Sequence, residues 1–109
     1  MSGVDIYVRL QFPTLRFGPG KADLLTAIRD HGSISAAGRA MGMSYRRAWA
    51  LVEEMNTAFA APLVSASRGG AGRGGAELTP DGVAVLDAYR RAVAHAAEAD
   101  ISAIARRLR

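Results

Sequence analysis

Arginine is the residue that carries most of the binding chemistry in this sequence. Two adjacent arginines stand in "SYRR" (44–47), and two more sit among glycines in "RGGAGRGG" (68–75). A guanidinium group donates paired hydrogen bonds to a phosphate or to the edge of a guanine. Lys21 is the one lysine among 14 basic residues, and the formal net charge is +4. These features indicate an anionic partner and favour nucleic acid over a membrane surface.

The glycine-rich stretch raises the question of a nucleotide-binding loop in an enzyme. A P-loop needs a lysine followed by Ser or Thr, and phosphate loops lead directly into a helix. Here "AELTP" (76–80) separates the glycines from the next helix start. The two histidines, His31 and His95, have no nucleophile beside them, and the adjacent Glu53 and Glu54 point apart. We therefore expect no enzyme and no metal or cofactor site.

Composition limits the other possibilities. The chain has 109 residues, of which 50% are hydrophobic, so we expect one folded domain over 1–109. The absence of cysteine excludes disulfides and thiolate metal sites. The N-terminal stretch lacks the pattern of a signal peptide, and no apolar run is long enough to span a membrane. We expect a soluble cytoplasmic protein with no membrane partner.

Two helical signals with almost no linker between them occur in "SISAAGRAMGMSYRRAWALV". Ser35 and Ser44 are predicted to cap the two helices, because a serine hydroxyl accepts a hydrogen bond from a free backbone N–H. Gly38 is the small residue expected where the helices cross, and Gly42 suits a left-handed turn. The pattern predicts a helix-turn-helix over about 35–60, with a generic helical hairpin as the alternative.

The second helix of this pair begins with the basic residues. In a helix-turn-helix, that end enters the major groove of DNA. Arg46 and Arg47 are adjacent and point about 100° apart, so we expect one to contact a base edge and the other a phosphate. Tyr45 is expected to reach a phosphate or a sugar. Trp49 is expected to pack in the core rather than contact DNA, and a solvated face is the alternative for either arginine.

The glycine-rich stretch then fits a wing. "LVSAS" and "AEL" are strand candidates on either side of it, which predicts a hairpin over about 63–79. Arg68 and Arg73 are expected to contact backbone phosphates or a minor groove. The alternatives are a hairpin tip with incidental arginines and an RNA-binding Gly/Arg loop.

The two ends of the chain also carry patterns. "DIYVRLQF" predicts a strand with Ile6, Val8, Leu10 and Phe12 on one face, and "KADLLTAIRDHG" predicts a helix that Gly32 ends.

A last helix is predicted over about 80–108, with Thr79 as its cap and Pro80 in its first turn. At 1.5 Å per residue it would be about 40 Å long, more than so small a domain can cover. A second copy of the chain is therefore expected to pack on apolar residues of this helix and of the first helix, namely Leu24, Ile28, Val93, Ala97, Ile104 and Leu108.

Taken together, the residues in "GSIS", "GMSY", "AW" and "EMN", followed by "GGAGRGGAELTPDG", resemble the N-terminal winged-helix domain of ModE-type molybdate-responsive transcription regulators. The LysR-type DNA-binding domain is more distantly similar. The resemblance covers about residues 5–105. It implies a mainly α fold with a small β-sheet, a homodimer, and sequence-specific binding of double-stranded DNA through residues 44–47 and the wing 68–75.

Members of that family that sense molybdate carry C-terminal oxyanion-binding domains. The sequence ends at Arg109 without such a domain and therefore resembles the single-domain members. The resemblance thus gives no reason to expect molybdate binding by this chain, and no effector is assigned. The alternative functions are a winged helix that binds another protein and an RNA-binding protein that uses the Gly/Arg loop.

Overall fold

The fold begins with a small hairpin rather than with one long strand. The computed structural model describes residues 4–68 and 74–109, with Arg68 described by its backbone alone. Strand β1 (Leu10–Gln11) pairs antiparallel with β2 (Arg16–Phe17). The strand predicted over 5–12 is therefore wrong in length, because only Leu10 and Gln11 of it are paired and residues 4–9 lie in no strand. The chain turns after Phe12, whose N–H donates to the Leu15 carbonyl oxygen at 2.8 Å. Phe12 is exposed, while Phe17 enters the core.

Helix α1 (Pro19–His31) supplies much of the core. It begins two residues before the predicted start, since Pro19 occupies a first-turn position in which its missing N–H costs nothing. Gly32 ends the helix at φ 76°, as predicted. Leu24 and Ile28 are fully buried within the single chain. The prediction that these two side chains contact a second copy is therefore wrong, because neither has surface left to offer.

The helix-turn-helix is formed by α2 (Ile34–Ala40) and α3 (Tyr45–Ala58). Ser33, not Ser35, caps α2, because the Ser33 hydroxyl accepts from the Ala36 N–H at 3.0 Å. Gly38 lies at the helix crossing as predicted: a Cβ there would stand 3.0 Å from the Ala48 Cβ. Gly42 has φ 70° in the turn. The predicted turn chemistry is confirmed, and the predicted position of the first cap is wrong by two residues.

The predicted wing strands are present. Strand β3 (Val64–Arg68) pairs antiparallel with β4 (Gly74–Leu78), from Val64 opposite Leu78 to Arg68 opposite Gly74. The Ala76 N–H donates to the Gly32 carbonyl oxygen at 2.8 Å, which ties β4 to the end of α1. The sheet therefore packs beside the helix-turn-helix, and the turn between its strands lies outside the described residues.

The C-terminal helix is shorter than predicted. Helix α4 (Pro80–Ala97) is capped by Thr79 as predicted, with the Thr79 hydroxyl accepting from the Gly82 N–H at 3.0 Å. The chain then leaves the helix and forms only a short α5 (Ser102–Ala105). The Asp100 carboxylate accepts from the Ser102 N–H at 2.9 Å, and this hydrogen bond lowers the pKa of Asp100. The single helix predicted over 80–108 is therefore wrong in length, because regular helix ends at Ala97 and resumes only at Ser102.

One apolar core joins the hairpin, α1, the helix-turn-helix and the first half of α4. The Tyr89 hydroxyl donates to the Val8 carbonyl oxygen at 2.7 Å, and its ring contacts Phe17 edge to face. Burial raises the pKa of Tyr89, so its phenol stays protonated and available as a donor. The largest fully buried side chains are Phe17, Leu24, Leu25, Ile28, Met55 and Leu63.

Candidate nucleic-acid interface

The N-terminal end of α3 is open to solvent and rich in donors. Ser44 caps the helix as predicted, with its hydroxyl accepting from the Arg47 N–H at 3.0 Å. Tyr45, Arg46 and Arg47 follow and are all exposed, and the first turn holds no acidic residue. The positive end of the helix dipole adds to the charge of both arginines. This end of α3 is suited to an anionic or hydrogen-bond-accepting surface.

Trp49 lies on this exposed surface, not in the core. Its side chain is 38% exposed, and its ring contacts that of Tyr45 edge to face with centroids 6.1 Å apart. The expectation that Trp49 packs inside the protein is therefore wrong. The four-residue spacing places both rings on one side of α3, where they form an apolar edge beside the arginines. Such an edge can contact sugars or thymine methyl groups.

The two arginines of α3 point to different surroundings. Arg47 lines a cleft of about 350 Å³ that lies between α3, the start of α1 and the N-terminal hairpin. Arg46 is exposed and does not line this cleft. The adjacent positions thus separate the two guanidinium groups, as the helical geometry predicts. Arg47 is placed beside other cations, while Arg46 is free to reach outward.

The same cleft contains three basic residues that the sequence reasoning missed. Arg9 and Arg16 come from the two sides of the hairpin, and Lys21 comes from the first turn of α1. The Lys21 Nζ lies 3.4 Å from Glu54 Oε1. Only the hairpin turn brings Arg9 and Arg16 near α3, so their positions in the sequence gave no signal beyond their charge.

Ser35 lies in the first turn of α2 and is partly buried. Its hydroxyl accepts a hydrogen bond from the Arg39 guanidinium at 2.9 Å. Both groups sit near the exposed side of α2, so a DNA contact by Ser35 stays a prediction.

One side chain of α3 makes hydrogen bonds to the start of the wing. Asn56 accepts from the N–H groups of Leu63 and Val64 at 2.8 and 3.1 Å, and donates to the Val64 carbonyl oxygen at 3.0 Å. Thr79 closes the other strand, since its N–H donates to the Leu63 carbonyl oxygen at 2.9 Å. The predicted contact residue Arg73 lies outside the described residues, and so does the side chain of Arg68. Their contacts with DNA stay predictions.

The remaining predicted dimer residues lie along the C-terminal part of the chain. Val93 is half-buried against the core, and Ala97 is exposed. Ile104 is 66% exposed and Leu108 is 72% exposed. Ile104 and Leu108 therefore leave apolar surface uncovered within one chain.

Within residues 4–68 and 74–109, no cluster of three or more His, Asp or Glu side chains is arranged to hold a metal ion. No helix in these segments is both long and apolar enough to cross a membrane.

Comparison with known proteins connects this geometry to a family. The sequence is 50% identical over 74 residues to the molybdenum-pterin-binding protein MopB of Rhodobacter capsulatus, a match that covers 68% of this chain and 27% of MopB. It is 39% identical over 71 residues to the DNA-binding transcriptional dual regulator ModE of Escherichia coli K12, covering 65% of this chain and 27% of ModE. The chain thus spans about a quarter of the length of these relatives.

A solved structure shares the fold. The crystal structure of a CbnR_DBD–DNA complex superimposes with a TM-score of 0.57 and 22% identity, over 72% of this chain and 84% of that one. These matches confirm the winged helix-turn-helix fold and the predicted similarity to ModE-type and LysR-type proteins. Residues 21–83 also match the profile described as bacterial regulatory helix-turn-helix protein, lysR family. The chain therefore belongs to the lysR family of bacterial regulatory helix-turn-helix proteins.

Proposed function

We propose that this chain binds double-stranded DNA in a sequence-specific way and regulates transcription as a homodimer. The observation that carries the proposal is the exposed start of α3, where Tyr45, Arg46 and Arg47 follow a capped and acid-free first turn. In a helix-turn-helix this end reads base edges in the major groove. The regulated site would be a pseudo-palindrome, because a two-fold dimer presents two such helices to successive turns of the duplex.

The relatives support both the partner and the biological setting. One relative is named a DNA-binding transcriptional dual regulator, and the structural neighbour is a complex with DNA. Other relatives are named for molybdenum-pterin binding and molybdenum transport. From these names we infer that this chain controls genes related to molybdenum. A regulator of this kind acts in the compartment that holds the chromosome, which in a bacterium is the cytoplasm.

The proposed dimer contact uses the exposed end of the chain. Ala97, Ile104 and Leu108 offer apolar surface beyond the part of α4 that packs on the core. Burying this surface against a second copy releases it from water. The dimer contact is proposed for the end of α4 and for α5 only, since Leu24 and Ile28 are already buried.

Selection from a random duplex library tests the proposal. The full chain is incubated with the library with and without molybdate, and retained sequences are compared. We expect a motif with two similar half-sites about 10 base pairs apart, which is one helical turn. Recovery of no motif would favour a winged helix that binds another protein, and preferential retention of single-stranded RNA would favour the Gly/Arg loop as the binding element. An identical motif and yield with molybdate would indicate that this chain does not respond to that oxyanion.

A further inference from the structure

The cleft beside α3 collects positive charge from three separate parts of the chain. Arg9 and Arg16 come from the hairpin, Lys21 from α1 and Arg47 from α3. Gly18, Pro19 and Gly20 complete the wall at the start of α1, together with the apolar residues Met43 and Leu51. Four basic residues around one cleft of about 350 Å³ create a positive potential that favours binding of an anion between them.

The protein supplies little negative charge to offset this cluster. The Lys21–Glu54 pair is the one ion pair that the described segments make with any of the four cations. Within those segments, no carboxylate oxygen lies within 4.0 Å of the guanidinium nitrogens of Arg9, Arg16 or Arg47. Arg9 and Arg16 are also exposed, so an external anion can reach them without a change of fold.

We infer that this cleft receives a phosphate of the DNA backbone, and this inference rests on the proposed function. Arg47 lines the cleft and also belongs to the exposed first turn of α3, so the cleft borders the proposed reading surface. Its volume is more than ten times the roughly 30 Å³ that one water molecule occupies in the liquid. An open cleft of that size fits a phosphodiester with its sugars better than it encloses a single small ion.

The assignment divides the work of the two adjacent arginines. Arg47, together with Arg9 and Arg16, holds the phosphate and sets the orientation of the duplex, whereas Arg46 reaches the base edges. Phosphate contacts position a protein on DNA but carry no sequence information, while base contacts specify the site. The N-terminal hairpin thereby becomes part of the DNA-binding surface, in addition to the helix-turn-helix and the wing.

The test compares salt dependence in matched variants of the full chain. The double variant Arg9→Gln, Arg16→Gln removes two charges from the cleft and keeps a polar amide at each position. We expect weaker binding to the selected operator and to a scrambled duplex by the same factor, with the slope of log K against log [salt] reduced by about 1 to 2 per protomer. The control replaces Arg29 and Arg91, two exposed arginines that do not line the cleft, by Gln and should keep the wild-type slope.

Several outcomes separate this inference from its alternatives. A charge-keeping variant with Lys at positions 9 and 16 should restore the wild-type slope, and circular dichroism should show the same fold for every variant. Equal slopes for the cleft variant and the control would overturn the phosphate assignment while leaving the proposed function intact. No duplex binding by the wild-type chain would overturn both.

A second arm distinguishes DNA phosphate from a free oxyanion. Inorganic phosphate and molybdate are titrated at constant ionic strength while the amide resonances of Gly18, Gly20 and Lys21 are followed by NMR. We expect no saturable shift at submillimolar concentration. A saturable shift confined to these amides would show a receptor for a free oxyanion and would overturn the assignment to DNA.

Discussion

At the scale of single residues, the fold depends on which small side chain satisfies which backbone group. Ser33, Ser44 and Thr79 each accept a hydrogen bond from the N–H three residues later, and each begins a helix. The sequence predicts two of these caps correctly. It misplaces the cap of α2 because Ser33 and Ser35 both precede apolar residues, and only the tertiary path of the chain after Gly32 decides between them.

Substitution of the two serines tests this correction. Ser33→Ala removes the cap of α2 and should lower the free energy of unfolding by about 1 kcal/mol. Ser35→Ala is the matched control: it removes only an exposed hydrogen bond to Arg39, so its effect should stay within about 0.5 kcal/mol. Urea denaturation measures both values. If Ser35→Ala lowers the free energy of unfolding more than Ser33→Ala does, Ser35 is the cap and the correction is wrong.

Trp49 shows where reasoning from residue type fails. A tryptophan beside an apolar stripe is usually buried, but here the core under α3 is filled by Ala48, Leu51, Val52 and Met55. Because Gly38 has no Cβ, α2 and α3 come into close contact at Gly38 and Ala48. The two helices are then too close for a large ring to lie between them. The exposure of Trp49 therefore follows from the helix crossing, which residue type alone does not reveal.

At the scale of elements, side-chain hydrogen bonds connect the wing to α3. Asn56 on α3 satisfies two N–H groups and one carbonyl at the start of β3. The sequence predicts both wing strands from their apolar and glycine pattern, but it cannot show which helix side chain holds them. The contact depends on how the chain turns between Asn56 and the residues seven and eight positions later.

Asn56→Ala should therefore loosen the wing. It leaves three backbone groups without their partners and should lower the free energy of unfolding by about 2 to 3 kcal/mol. Hydrogen exchange at the Leu63 and Val64 amides should accelerate more than exchange at the centre of α1. Thr57→Ala is the control, because Thr57 is the exposed neighbour on the same helix and should change stability by less than about 0.5 kcal/mol. Unchanged exchange at Leu63 and Val64 in Asn56→Ala would contradict this role.

The interruption after Ala97 has a local cause that periodicity does not reveal. Apolar residues continue at helical spacing through Leu108, but the segment beyond Val93 has little contact with the core. Without tertiary packing, helical propensity alone is weak. Beyond the end of α4, the Asp100 carboxylate accepts from the Ser102 N–H and so competes with a helical carbonyl oxygen for that donor.

At the scale of the whole molecule, the chain measures 59 × 28 × 20 Å and exposes apolar side chains near its C-terminal end. The sequence predicts that this end has unburied apolar residues, and the structure agrees for Ile104 and Leu108. The prediction is wrong for Leu24 and Ile28. An amphipathic stripe shows that a helix face is buried, but it does not show whether the same chain or a second copy buries it.

Ile104→Asp combined with Leu108→Asp should convert the proposed dimer to a monomer. Two carboxylates in an apolar contact are costly to desolvate and lie close to their symmetry mates. Sedimentation equilibrium should show a fall in mass to that of one chain, accompanied by weaker binding to a two-half-site duplex. The control is Val4→Asp with Val83→Asp, which places the same charges at exposed apolar residues outside the proposed contact. A wild-type chain that already sediments as a monomer would contradict the dimer.

The start of α3 is proposed to read DNA sequence, and the preference of the Arg46→Ala variant for its operator over a scrambled duplex shows whether it does. Dissociation constants are measured for the selected operator and for a scrambled duplex of equal length, at one salt concentration, with Arg91→Ala as the control. Loss of one base contact per half-site should lower the operator-to-scrambled preference at least about tenfold, while Arg91→Ala keeps the wild-type preference. An unchanged preference in Arg46→Ala would contradict sequence reading by the start of α3.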